Sequence, residues 1–453
     1  MRLAGKAGYK VTDAGLIPTD WQAKKLGELV KKVGSGVTPK GGSESYLTSG
    51  IPLIRSQNVL WGKLSLSDVA YISIAQHKRM ANSALQPLDV LLNITGASIG
   101  RCAVLPSDFG EGNVNQHVCI IRPSDLLQSY FLSHYLNSQF GQGQISKLQA
   151  GGNREGLNYQ QIRGFTVALP PLPEQKKIAS ILTAVDDKLG VIARQIEATQ
   201  ALKKALMLTL FSRGVGVQNA NGRWVPHVEF KDSELGEIPV LWEVGTVGNY
   251  VGALRSGVSV NADDRIHGVG EVGVLKVSCV FSGQFRPDEH KTVLPKEMVR
   301  VAEPVQKGRI IISRANTPAL VGESAYVVTN RSDLFLPDKL WQTEASNEVH
   351  SVKWLAFFLQ SPFARQEISK AATGTSGSMK NISKQSFLGI PMPLLPLTEQ
   401  EKVADILSAV TLKLDGLVLK QARYQILKRG LMQKLLTGEW RVALDTPVEE
   451  AMA

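Results

Sequence analysis

The chain has 453 residues, 43% apolar and 20% charged, an ordinary globular composition with apolar mass for more than one core. Its formal net charge of +11 favours a polyanionic partner, either nucleic acid or an anionic membrane surface. Three cysteines without metal-type spacing (Cys102, Cys119, Cys279) make no disulfide framework, no apolar run is long enough to span a bilayer, and the first ten residues lack a signal-peptide core, so a reduced, cytoplasmic setting is expected.

Along the chain, Gly15-Leu16-Ile17-Pro18 leads to Trp21, and Ser35-Gly36-Val37-Thr38 follows. Short β-branched runs at 51–54, 90–95 and 114–121 read as strands, and 129–136 reads as a helix. A glycine-rich loop, 151–156, precedes a last apolar strand that ends in Pro170-Pro171. From Glu174 to Arg213 there is no proline and one glycine, Gly190. Proline stops backward extension of a helix, and Glu174 suits the positive end of the helix dipole. At 1.5 Å per residue this helix is roughly 60 Å long, beyond ordinary globular length.

The chain then repeats itself. Gly236-Glu237-Ile238-Pro239 leads to Trp242, which stands 221 positions after Trp21, and Ser256-Gly257-Val258-Ser259 follows at the same offset. Strands are expected at 272–280, 309–313 and 324–328, and a helix at 352–359. The glycine loop recurs at Gly374-Thr375-Ser376-Gly377, the prolines at 391–396, and a second long helix runs from Glu399 to Thr437. Order kept over two hundred residues with four residues of drift means duplication. Gly and Asn between the copies read as a linker. The domains read as 9–172, a helix 173–213, a linker 214–229, a second domain 230–396 and a second helix 397–438.

Both long helices carry an apolar stripe spaced by three and four: Leu182, Val185, Leu189, Ile192, Ile196, Leu202 and Leu206 in the first, and Leu407, Val410, Leu414, Leu417, Tyr424, Leu427 and Leu431 in the second. Such a stripe needs a partner helix, and the other copy supplies one. A short linker favours an antiparallel pair, because a parallel one requires the chain to double back along the full helix. The fold class is therefore α/β (α+β), two tandem domains joined by two long helices in an antiparallel coiled coil.

The Gly-x-Ile-Pro-x-x-Trp opening, the proline-rich entry to a Glu-Gln helix start, Ile311-Ile312-Ser313-Arg314-Ala315-Asn316-Thr317, and the doubling of the whole pattern resemble the specificity (S) subunits of type I restriction-modification enzymes over about residues 9–440. The resemblance implies that each α/β domain is a target recognition domain reading one half of a bipartite DNA site. It implies that the paired helices separate the domains and dock two modification (methyltransferase) subunits, which restriction subunits join. S-adenosylmethionine, ATP and Mg belong to those partners; no cofactor, metal or membrane is expected for this chain. No methyltransferase Asn/Asp-Pro-Pro-Tyr/Phe motif, phosphate loop or His-Glu-x-x-His is present, so no catalytic residue is expected. The alternative is a duplicated RNA-binding or architectural protein without a methylase partner.

Base reading calls for Arg, Lys, Asn, Gln, Ser or Thr at strand ends and loops. The candidates are Thr38, Lys40, Arg55, Gln57, Asn58, Asn93, Arg101, Arg154 and Asn158 in the first copy. In the second they are Ser259, Arg265, Lys276, Ser278, Arg286, Arg314, Asn316, Lys380 and Asn381. Shared residues such as Trp21 and Trp242 are expected to pack the core, and differing ones to carry the sequence code.

Overall fold

A computed structural model describes residues 7–39, 41–149, 156–374 and 379–444. They form two compact units, one of residues 1–194 with 418–453 and one of residues 195–417. Each unit contains one α/β module, one half of the first long helix and one half of the second.

The first module is organised on a four-stranded antiparallel sheet of β1 (Val30–Ser35), β2 (Val90–Asn93), β3 (Cys102–Val104) and β4 (Val118–Pro123), ordered β1-β4-β2-β3. The second is built on β5 (Val251–Ser256), β6 (Ile310–Ser313), β7 (Ser324–Tyr326) and β8 (Leu340–Ala345), ordered β5-β8-β6-β7. Even the register is shared: Ser35 faces Cys119 and Ser256 faces Trp341. The central strands β2, β4 and β6 are apolar on both faces because each sheet is covered on both sides.

A smaller mixed sheet lies beside each. In the first module it has three strands (Ile51–Ile54, Ala70–Ile72, Asn113–Val114), and in the second five, with Ala262–Asp263 and Pro304–Val305 added at its edges. The strand expected over 114–121 is interrupted: Asn115, Gln116 and His117 form a turn in which Asn115 Oδ1 accepts the His117 N–H at 3.1 Å. The strand expected over 272–280 is likewise broken by a 3₁₀ turn at Val277–Cys279.

Helices α1 (Leu172–Ser212, 41 residues) and α2 (Leu397–Leu435, 39 residues) match the two long helices read from the sequence. Within the first unit Ile178 and Leu182 share a core with Met432 and Leu435, and Lys428 pairs with Asp186 at 2.6 Å. Within the second, Met207 and Leu210 pack with Val403 and Leu407. Late residues of one helix meet early residues of the other in both units, so the helices pair antiparallel.

The seam differs from the sequence reading at two places. Leu202 and Leu427 are each 48% exposed, and Lys203 and Lys428, one position on, are turned inward. With these lysines in place the inward positions keep the alternation by three and four, through Ile196, Thr199, Lys203 and Leu206 in α1 and through Gln421, Tyr424, Lys428 and Leu431 in α2. The other seam residues are buried or half-buried. The segment after α1 forms a small hairpin in which Val217–Gln218 pairs with Trp224–Val225.

The three cysteines are buried free thiols, and burial pushes Cys102 and Cys119 up to about 12. Among the described residues there is no group of three metal-type ligands and no helix long and apolar enough to cross a membrane.

Candidate nucleic-acid interface

The doubled Trp and Glu-Gln residues form the anchor of each module. Trp21 and Trp242 are fully buried, and their indole N–H groups donate to Glu174 at 3.0 Å and Glu399 at 2.9 Å. A buried carboxylate needs further donors. Glu174 obtains them from Arg441, which also clamps Asp20 at 3.0 and 2.7 Å and holds the Asp20 carboxyl below its ordinary value. Glu399 accepts from the backbone N–H groups of Val215 and Gly216 and contacts His227 Nε2 at 3.0 Å. Gln175 and Gln400 accept from Gln128 N and Ser351 N and donate to carbonyls of the proline segment. The Glu-Gln helix start is thus structural, and Glu174 is a buried anchor.

Several candidate base readers are occupied inside the protein. Asn58 is 2% exposed, accepts from Arg55 N and donates to the Ser65 and Asp68 carbonyls. Asn93 is fully buried and donates to the Ser56 and Val59 carbonyls. Asn158 caps a short helix, accepting from Gln161 N at 2.8 Å. These three hold the backbone of the loops, a duty an amide performs as readily as base reading. Lys40 and Arg154 lie outside the described residues.

The remaining candidates fall into two groups. Around the small sheet of the first module, Arg55 stacks over Tyr46 and reaches Asp68, and Gln57 donates to Asp68 at 2.6 Å. In the second module Arg265 chelates Glu271, whose carboxyl is drawn down to about 2 by that guanidinium. Lys276 pairs with Asp264 at 2.8 Å, Ser278 donates to Glu289, and Arg286 lies over Phe281. These residues are exposed or half-exposed, each beside a surface acid or ring.

The other group lies around the end of the main sheet. Thr38, at the end of the Ser-Gly-Val-Thr segment, is exposed and donates to Gln116 Oε1. Gln116 Nε2 lies 2.8 Å from His117 Nε2, and His117 Nδ1 lies 2.6 Å from Thr95 Oγ1. Thr95 bridges to Gly156 at the return of the glycine loop. At the corresponding place in the second module, Ser259 donates to Asp338, and the Ala315-Asn316 segment pairs with Lys380-Asn381. Asn316 folds onto Ser313 and Thr317 N, Lys380 donates to the Gly374 carbonyl, and Asn381 is exposed. Arg314 is half-buried beside them, its Nε without a partner among the described residues, and Arg101 is half-buried in the loop after β2. Gln116, His117, Asp338 and Lys339 were absent from the sequence candidates. The signal was there: Val114 to Val118 and Leu336 to Leu340 keep apolar ends and differ between them.

Two sheets of the same strand order thus carry polar side chains at corresponding ends, and the duplication agrees with comparisons to known proteins. Residues 18–199 match the family model described as the type I restriction modification DNA specificity domain. The putative type I restriction enzyme MjaX specificity subunit of Methanocaldococcus jannaschii is 27% identical over 96% of this chain and 97% of its own length. The chain is similar to type I specificity subunits over almost its whole length. The EcoKI specificity subunit of Escherichia coli is 24% identical over 94% of this chain and 92% of its own. The crystal structure of the type I S subunit from M. genitalium superposes with a TM-score of 0.58 at 16% identity, covering 94% of this chain and 97% of that one, and shares the fold.

Proposed function

We propose that this chain is the specificity subunit, the non-catalytic DNA-recognition component, of a type I restriction-modification complex, with modules 9–172 and 230–396 each reading one half of a bipartite site in double-stranded DNA. The observation that carries the reading is the pairing of an identical scaffold with unlike polar side chains. The main sheets agree strand for strand and in register, while Thr38-Gln116-His117 in one corresponds to Ser259-Asp338-Lys339 in the other. Two equal frames with different donor and acceptor sets suit two different half-sequences. The net charge of +11 supplies the attraction to phosphate.

The paired helices set the spacing between half-sites and dock two methyltransferase subunits. Support comes from an uncovered apolar face on α1, where Ala198, Ala201, Leu202, Ala205 and Leu208 are all exposed. On α2, Ile426 and Leu427 are 61% and 48% exposed. Contiguous exposed apolar side chains on a helix mark a protein-binding face, which accounts for Leu202 and Leu427 leaving the seam. Restriction subunits complete the assembly in the cytoplasm, and S-adenosylmethionine, ATP and Mg are bound by those partners.

The test is co-purification of the tagged chain with its adenine methyltransferase, followed by long-read mapping of methylated adenines. A two-part motif with a fixed gap is the expected result. A single contiguous motif, or no methylase in the complex, overturns the reading.

A further inference from the structure

The loop before each small-sheet turn is held by a glycine with no room for a side chain. A Cβ on Gly36 would lie 1.6 Å from the Val114 carbonyl oxygen, and one on Gly257 would lie 1.6 Å from that of Leu336. Both modules therefore press the Ser-Gly-Val-Thr/Ser segment against the strand that leads into the turn. This close approach brings Thr38 onto Gln116 and Ser259 onto Asp338.

In the first module the result is a locked amide. Thr38 donates to Gln116 Oε1, and Gln116 Nε2 donates to His117 Nε2. That bond leaves the His117 hydrogen on Nδ1, from which it donates to Thr95 Oγ1. Among the described residues one N–H and one lone pair of Gln116 have no partner, and the residue is exposed. In the second module Ser259 occupies one oxygen of Asp338 and leaves the other as an acceptor, with exposed Lys339 next to it.

Resting on the reading above, we infer that this turn is the base-reading tip of each module, with Gln116 reading in the first and Asp338 with Lys339 in the second, and with His117 as a positioning residue for Gln116. A free amide N–H beside a free carbonyl lone pair matches the N7 acceptor and N6 donor of adenine in the major groove. A carboxylate oxygen accepts from cytosine N4, and an ammonium donates to guanine O6 and N7. The first module accordingly selects an A·T pair at its tip and the second a C·G pair. Holding the reader before DNA arrives lowers the ordering cost of binding.

The experiment is selection of the full chain on a randomised duplex library, followed by sequencing of the bound DNA, for the wild type, Gln116→Ala, His117→Ala and Asp338→Asn. The wild type should enrich a bipartite motif. Gln116→Ala should lose preference for one A·T pair in one half-site by on the order of ten- to a hundredfold, with the other half unchanged. His117→Ala should weaken the same preference to a lesser degree. Asp338→Asn, nearly isosteric and half-exposed, should move one position of the other half from C·G toward A·T, because an amide pairs with adenine. Folded variants that return the wild-type motif, or variants that lose both halves together, overturn the inference. A wild-type protein that enriches no bipartite motif overturns the functional reading instead.

Discussion

Trp21 and Glu174, 153 positions apart, are joined by an indole N–H to carboxylate hydrogen bond of 3.0 Å at the buried point where the first module meets its long helix. Trp242 and Glu399 repeat it at 2.9 Å. The partners that complete each carboxylate come from the segment following the other long helix, Arg441 in the first unit and Val215 with Gly216 in the second. One bond thus fixes module, helix start and returning chain together.

Glu174→Ala leaves the Trp21 indole buried without an acceptor and Arg441 with Asp20 alone. The expected loss is about 2–4 kcal/mol of unfolding free energy, most of it the cost of an orphaned buried donor. Urea unfolding followed by tryptophan fluorescence measures it. A loss below about 0.5 kcal/mol would show that the anchor is dispensable.

His134 gives the first unit an acid sensitivity. It is 7% exposed on its side chain, lies 3.1 Å from Thr183 Oγ1, and burial, with the nearby Lys428 ammonium, pushes it down to about 3. The unfolded chain takes up this proton near pH 6.5 and the folded one near 3, so stability falls as pH drops through that window. Asp186, raised by burial, works in the opposite sense at lower pH. Between pH 6.5 and 5 the His134 contribution should amount to about 1–2 kcal/mol. Phe357 holds the corresponding position in the second unit, under Lys203. His134→Phe should therefore flatten the profile between pH 6.5 and 5. A variant whose stability falls as steeply as the wild type's would contradict this.

Duplication, module order and both long helices were legible in the sequence, because proline punctuation and a sustained apolar stripe are local signals. The seam was legible except at Leu202 and Leu427, where lysines one position on turn inward and the apolar side chains face out. The interface was much less legible. Asn58 and Asn93 look like readers until the fold gives them backbone partners, Asn158 is an exposed cap of its own short helix, and Gln116 looked like part of a strand. Asn115 breaks that strand by bonding the His117 N–H, a local alternative to the ladder that β-propensity does not register.

DNA binding should be steeply salt-dependent. If six to ten phosphates are neutralised by the basic surface, affinity falls by about 10³–10⁵ between 50 and 200 mM salt. Fluorescence anisotropy with a labelled duplex carrying the mapped site reads the slope. Affinity that holds constant across that range would rule out a phosphate-based interface.

Helix length should set the gap between half-sites. One extra turn inserted after Gln195 and after Lys420, built to continue the seam, adds about 5 Å to each helix. At roughly 3.4 Å of duplex axis per base pair, the preferred spacer should grow by one or two pairs while both half-sequences stay the same. Methylation mapping with the partner methylase decides it, and an unchanged spacer with retained activity counts against the helices as the ruler.

The most direct measurement exchanges residues 9–170 for the corresponding module of a type I specificity subunit and maps methylated adenines in cells that also make the methyltransferase. A hybrid motif is expected: one half-sequence replaced by that of the donor, the other half and the gap retained. A swap that altered both halves, or left both as they were in an active complex, would contradict the claim that each module reads its own half-site.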